Sequence, residues 1–131
     1  MNRMALGAYD ILLVDDEENL LTIVGDLLRI HGFSVLTAQN GRGALKQLEN
    51  QVGLIILDLN LAGEDGLGLL DYFKSTRPGI PIILYTGLIH DPRQVASMLQ
   101  RGASSYVNKA QPIEALLSAI YDVRNASTKK S

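Results

Sequence analysis

Two rhythms of apolar and polar positions alternate along the chain. Short, almost wholly apolar runs occupy residues 11–14, 33–37, 54–57, 80–85 and 105–107, and each reads as a strand. The run Leu54-Ile55-Ile56-Leu57 has no polar alternation. That is the pattern of a strand covered on both faces. Between the runs, apolar residues recur at the three- and four-residue spacing of a helix face. Leu20, Val24, Leu27 and Leu28 share one face, and Gly32 after His31 supplies a left-handed stop. Asn40 caps a helix carrying Ala44, Leu45 and Leu48. Residues 66–75 carry Leu69, Leu70 and Phe73 and close at the Arg77-Pro78-Gly79 turn. Asp91-Pro92 sets a cap and a proline at a helix start, and Gly102 ends that helix. Pro112 opens a last helix through Ile113, Leu116, Leu117 and Ile120.

Five strand–helix units predict an α/β domain: a doubly wound, five-stranded parallel sheet with five helices and right-handed crossovers. The flavodoxin-like strand order 2-1-3-4-5 is the common solution for five such units. No internal repeat, low-complexity tract or interior linker divides the chain. Residues 10–124 therefore read as one domain, residues 1–9 as an N-terminal extension, and residues 125–131 as a polar, fraying C-terminal tail.

Composition narrows the class. With 131 residues, 47% of them hydrophobic and 20% charged, the chain is no disordered segment and is long enough for a real core. The absence of cysteine excludes a disulfide scaffold, thiolate metal ligands and a cysteine nucleophile, and is compatible with a reducing cytoplasm. A net charge of −2 advertises no broad nucleic-acid-binding surface. An aromatic share of 5% without tryptophan argues against a stacking platform for single strands. No apolar run approaches the ~20 residues of a membrane helix, and residues 1–8 make a poor signal peptide. The expectation is a cytoplasmic domain without direct contact to nucleic acid or membrane.

The chemistry is expected at the carboxyl ends of the strands, where open parallel sheets bind ligands. There the chain places Asp15-Asp16 followed by Glu17 and Glu18, Asp58 with Asn60 two residues on, Thr86-Gly87, and Lys109. Each residue alone has an ordinary explanation. Acids favour the start of the following helix, Asp58 can cap a turn, Thr86 suits a strand, and Lys109 suits a solvated surface. All of them on one rim is a poor accident. Clustered carboxylates repel one another unless a cation sits among them, and hard oxygen ligands suit Mg²⁺. Lys109 and the Thr86 hydroxyl suit phosphoryl oxygens. Asp58 can then attack a phosphoryl donor and become an acyl phosphate. Other occupants of this sheet fit worse. A flavodoxin needs a neutral phosphate loop where this chain has four acids, and no Gly-rich phosphate motif follows a strand. A haloacid-dehalogenase-type phosphatase wants its nucleophile on the first strand and an Asp where Asn60 stands.

These motifs make the sequence resemble the receiver domain of bacterial two-component response regulators, in a single-domain, chemotaxis-receiver-like architecture. The resemblance spans residues 10–124. It is carried by Ile11-Leu12-Leu13-Val14-Asp15-Asp16-Glu17, Leu54-Ile55-Ile56-Leu57-Asp58, Gly66, Thr86-Gly87, Gly102-Ala103 and Tyr106-Val107-Asn108-Lys109. It implies that Asp58 accepts a phosphoryl group from the phosphohistidine of a histidine kinase or histidine phosphotransfer protein. Asp16, Asp58 and the backbone carbonyl of Asn60 would hold Mg²⁺, with Asp15 acting largely through a water. Lys109 would pair with Asp58 or its phosphate. Thr86 would move to the phosphoryl oxygen, and Tyr106 would swing into the vacated space. The output face would be the helix, strand and helix within residues 91–124, read by a downstream protein whose identity the sequence does not carry.

The resemblance further implies a monomer or a weak phosphorylation-dependent dimer, and no enzymatic activity beyond the chain's own phosphoryl transfer and slow dephosphorylation. A receiver-like module that binds partners without phosphorylation would be marked by loss of an acidic, Thr or Lys position, and none is lost. Two positions depart from the family pattern. Ala62 stands where a proline is usual, four residues after the phosphoacceptor, and Ala110 replaces the proline, commonly cis, after the lysine. A cis bond before a non-proline residue costs about 3 kcal/mol, which favours a trans Lys109–Ala110 peptide, but the sequence leaves the isomer open. Asn60 and Leu88 resemble positions that tune phosphoryl lifetime, Leu88 as a partial shield against water. His31 reads as a helix-end cation and His90 as a loop residue, neither catalytic. Because nearly all 131 residues belong to the receiver, output is expected through another chain or a part of this one not present.

Overall fold

The computed structural model describes residues 8–88 and 90–129. The elements, in chain order, are β1 (Ala8–Tyr9), β2 (Ile11–Val14), α1 (Glu18–Ile30), β3 (Val35–Ala38), α2 (Gly41–Gln47), β4 (Gln51–Val52), β5 (Ile55–Leu57), α3 (Gly66–Thr76), β6 (Ile82–Thr86), α4 (Pro92–Gln100), β7 (Ser105–Asn108) and α5 (Ile113–Lys129). The main sheet is five-stranded and parallel throughout, in the order β3-β2-β5-β6-β7. With the two short strands set aside, that is the flavodoxin-like order 2-1-3-4-5 expected from the pattern.

The alternation of side chains along β2 shows why both faces must be covered. Leu12 and Val14 point into one apolar layer with Ala44, Leu48, Leu70, Phe73 and Met98, from α2, its C-terminal cap, α3 and α4. Ile11 and Leu13 point into the other, with Leu21, Val24, Leu28, Leu116 and Ile120 from α1 and α5. The uninterrupted apolar run of β5 follows directly, since Ile55 and Leu57 serve the first layer and Ile56 the second.

Several boundaries differ from the pattern, for local reasons. The second strand begins at Val35, not Phe33. Ser34 just before it is drawn into a side-chain clasp with Asp10, whose Oδ2 accepts from the Ser34 amide at 2.8 Å. The fourth expected strand begins at Ile82. The Ile80 amide closes a turn onto the Arg77 carbonyl at 3.1 Å, and Pro81 has no amide to give. Residues 1–7 of the expected N-terminal extension lie outside the described residues, but Ala8–Tyr9 form a strand. β1 pairs in parallel with β4 as a two-stranded sheet. The polar tail expected from residue 125 is helical as far as Lys129, because no Gly or Pro interrupts α5 after Ile113.

The predicted caps are found. The Asn40 side chain accepts from the Gly43 amide, Asp91 and Gln94 form a capping box before Pro92, and Gly32 and Gly102 hold φ of 94° and 115°. No helix among the described residues is long and apolar enough to cross a membrane.

Candidate functional site

The parallel sheet brings the ends of β2, β5, β6 and β7 to one edge. The strands are filled with apolar side chains, yet three polar residues are buried among them: Asp15, Asp58 and Thr86. Each directly follows or ends a strand, so backbone pairing fixes its position. Asp15 donates its amide to Ala38 O at 3.0 Å and Asp58 donates its own to Val14 O at 3.0 Å. Lys109, one residue past β7, is placed by its amide, which reaches Thr86 O at 2.9 Å.

The side chains converge. Lys109 Nζ lies 2.6 Å from Asp15 Oδ2 and 3.0 Å from Asp58 Oδ2, with Glu17 Oε1 at 3.8 Å. Carboxylate oxygens of Asp15, Asp16 and Asp58 all lie within 4.8 Å of one another. Three further oxygens of the cluster are tied to backbone amides. Asp15 Oδ1 accepts from Glu17 at 2.9 Å, Asp58 Oδ1 from Asn60 at 3.0 Å, and Asp16 Oδ2 from Ala62 at 3.0 Å. Asp15 Oδ2 is buried and touches the Lys109 ammonium as an ion pair, without a directed hydrogen bond.

Burial dominates the electrostatics. It pushes the Asp15 carboxyl above the usual carboxylate range, and the Lys109 ammonium and the Glu17 amide only partly counter it. Burial alone would lower Lys109, but its close contacts with the Asp15 and Asp58 carboxylates outweigh it and hold the ammonium above its ordinary value. Three carboxylates thus face one ammonium. This donor set, all hard oxygen, with an excess of negative charge and a buried oxygen without a directed donor, fits Mg²⁺.

The remaining candidates lie around this centre. Asn60 is exposed beside Asp58, where its backbone is held by the Asp58 carboxylate. Thr86 Oγ1 accepts from the Leu88 amide at 3.2 Å, and the Leu88 side chain is exposed. Tyr106 is half-buried with its hydroxyl on Leu88 O at 3.0 Å. Among the described residues no peptide bond is cis, so Lys109–Ala110 is trans. Its amide is put to use: Ala110 donates to Asn108 Oδ1 at 2.8 Å, as Ala62 donates to Asp16, and proline could do neither.

Sequence reasoning missed two contacts. Glu64 Oε1 accepts from the Gly41 amide at 2.8 Å, which ties the loop after Asp58 to the start of α2. His90 meets Tyr106, its Nδ1 lying 2.9 Å from the phenol oxygen. Neither residue stands in a motif. An acid before a helix or a histidine in a loop gives no local sign of a partner 23 or 16 residues away in sequence.

A parallel sheet with an acidic, lysine-bridged pocket at the carboxyl ends of its first and third main strands defines a phosphoacceptor module. The family model for the response regulator receiver domain matches residues 11–121, and the chain belongs to that family. Receiver domains of this family are phosphorylation-activated switches, phosphorylated by histidine kinases, and bind Mg²⁺ in an acidic aspartate cluster.

Among curated relatives, the transcriptional regulatory protein GlrR of Escherichia coli K12 is 36% identical over 118 residues. That match covers 89% of this chain and 26% of GlrR, so the chain spans about a quarter of that relative's length. Among solved structures, a CheY-like response regulator receiver domain protein from Methanospirillum hungatei JF-1 superimposes with a TM-score of 0.85. It is 27% identical, and the match covers 95% of this chain and 99% of the other. The response regulator TrrA of Thermotoga maritima, solved in complex with Mg(2+)-BeF, gives a TM-score of 0.77 at 30% identity. Here the match covers 87% of this chain and 97% of the other.

Proposed function

We propose that the chain is a Mg²⁺-dependent phosphoryl acceptor whose chemistry is confined to its own Asp58. The observation that carries this reading is the Lys109 ammonium held between Asp15 and Asp58, at 2.6 and 3.0 Å, inside a cluster of three carboxylates. An Asp58 carboxylate oxygen attacks the phosphorus of a phosphohistidine presented by a cytoplasmic histidine kinase or phosphotransfer protein. The P–N bond breaks, the donor imidazole leaves with its electron pair, and an acyl phosphate stands on Asp58. Asp16, Asp58 and the Asn60 carbonyl would hold Mg²⁺, with Asp15 acting through a water. Bound there, the ion would supply charge neutralisation for the transferring group. Lys109 exchanges its place on Asp58 Oδ2 for a phosphoryl oxygen, and the Thr86 hydroxyl donates to another.

The switch follows from the same contacts. Thr86 Oγ1 holds the Leu88 amide, and the Leu88 carbonyl holds Tyr106. Drawing Thr86 towards the phosphate therefore disturbs the loop that anchors the tyrosine. The output face is α4, β7 and α5, and its reader is a further protein or, as in the longer relatives, another domain of the same chain. The test is mass spectrometry after incubation with acetyl phosphate and Mg²⁺. One phosphoryl group is expected on the chain and none on Asp58→Asn; no added mass, or equal labelling of the variant, refutes the reading.

A further inference from the structure

Around the Leu88 carbonyl the hydrogen-bond accounting is tight. The carbonyl oxygen has two lone pairs. It accepts from Asn108 Nδ2 at 3.2 Å and from the Tyr106 hydroxyl at 3.0 Å. The phenol carries one proton, and this contact uses it. Were that proton directed elsewhere, two acceptor oxygens would face each other at 3.0 Å. The atom on the other side of the phenol oxygen, His90 Nδ1 at 2.9 Å, must therefore be the donor. The rings meet edge to face at 90°, with centroids 5.6 Å apart, so the imidazole is also held sterically.

Resting on the acceptor reading above, we propose that His90 is a positioning residue of the switch, present as its Nδ1–H form and clamping the Tyr106 hydroxyl against the Leu88 carbonyl. Turning the tyrosine ring gives up two hydrogen bonds at one oxygen. The consequence reaches α4 because His90 immediately precedes Asp91, the cap of that helix, which accepts from the Gln94 amide at 2.8 Å. Met98 is the one residue of α4 that is fully buried, so the start of the helix depends on such polar ties more than on packing. Asn108 closes the circuit on the other side. It bonds the same carbonyl and, through the Ala110 amide, fixes the turn that follows Lys109.

The ring nitrogens of His90 in the ¹⁵N-labelled chain provide the test, read at about pH 8.5, where free imidazole is neutral. The wild-type ring is expected as the Nδ1–H tautomer, and Tyr106→Phe is expected to release it to the Nε2–H form. An Nε2–H ring in the wild type, or a ring unchanged by Tyr106→Phe, overturns the proposal. Hydrogen exchange of the Gln94 and Val95 amides should rise about fivefold in His90→Phe, the loss of one ordinary hydrogen bond. In His90→Asn, whose amide can donate from the place of Nδ1, it should return towards wild type. Unchanged exchange in His90→Phe, or equal acceleration in both variants, refutes the clamp.

With acetyl phosphate and Mg²⁺ the His90 signal should change in the wild type and not in Asp58→Asn; no change in a phosphorylated wild type refutes the coupling. Phosphoryl mass on Asp58 is measured on the same samples. A wild-type chain with an Nδ1–H ring but no phosphoryl uptake defeats the acceptor reading and leaves the His90 hydrogen bond standing.

Discussion

At the scale of single residues, the site is built against stability. Asp15 is 1% exposed, and burial holds its carboxyl above the usual range, so the fold resists its charge. The sign of the linkage follows. Between the unfolded and the raised folded value, the native chain binds more protons than the unfolded one, so metal-free stability falls as pH rises through that window. Lys109, also held above its ordinary value, adds stability that is complete below 10.5 and lost as pH rises through its folded value. Removing one carboxylate of the buried pair leaves Asp58 as the one buried carboxylate against Lys109. Asp15→Asn is therefore expected to raise the thermal midpoint in metal-free buffer at neutral pH; an unchanged or lowered midpoint contradicts this. The charged residues were legible in the sequence because each follows an apolar run at a strand end, where topology alone decides what meets. His90 and Glu64 were not, because their partners, Tyr106 and the Gly41 amide, are chosen by loop geometry and not by periodicity.

At the scale of elements, the loop after Asp58 is set by how closely α3 approaches the chain after β5. A Cβ on Gly66 would lie 2.4 Å from the Leu59 carbonyl oxygen and 2.6 Å from its Cα, both rigid backbone. The start of α3 and the residue after Asp58 are thus in direct contact, which explains a glycine at a helical position that disfavours it. Gly66→Ala should cost about 1–3 kcal/mol, read by chemical denaturation, as forced overpacking usually does. It should also slow phosphoryl uptake from acetyl phosphate. A variant as stable as the wild type would show that the loop yields without cost. Element type followed the apolar spacing closely, as in α1, α3 and α5. Boundaries moved where side chains or proline decide backbone pairing: the Asp10–Ser34 clasp delays β3, and Pro81 delays β6. The two-residue β1 and β4 left no periodic trace, being too short to show alternation.

At the scale of the whole molecule, the two layers and the pocket oppose each other energetically. The sheet is sealed by α1 and α5 on one side and by α2, α3 and α4 on the other, and that burial holds together an edge where three carboxylates face one ammonium. Any cation bound to the native cluster and not to the unfolded chain stabilises the entire fold by mass action. Mg²⁺ at a hundred times its dissociation constant should therefore add about 2.7 kcal/mol to unfolding. By the same argument the gain should shrink strongly in Asp16→Asn, whose exposed side chain contributes to the cluster but not to the core. The comparison that separates this from a general salt effect is the same ionic strength of NaCl, which screens the repulsion without coordinating it. Equal stabilisation by NaCl and by Mg²⁺, or an undiminished Mg²⁺ response in Asp16→Asn, would mean that the acids at this edge act only as a patch of charge. A selective response lost in the variant would tie the stability of all five main strands to the occupant of their shared edge, as a module regulated at that edge requires.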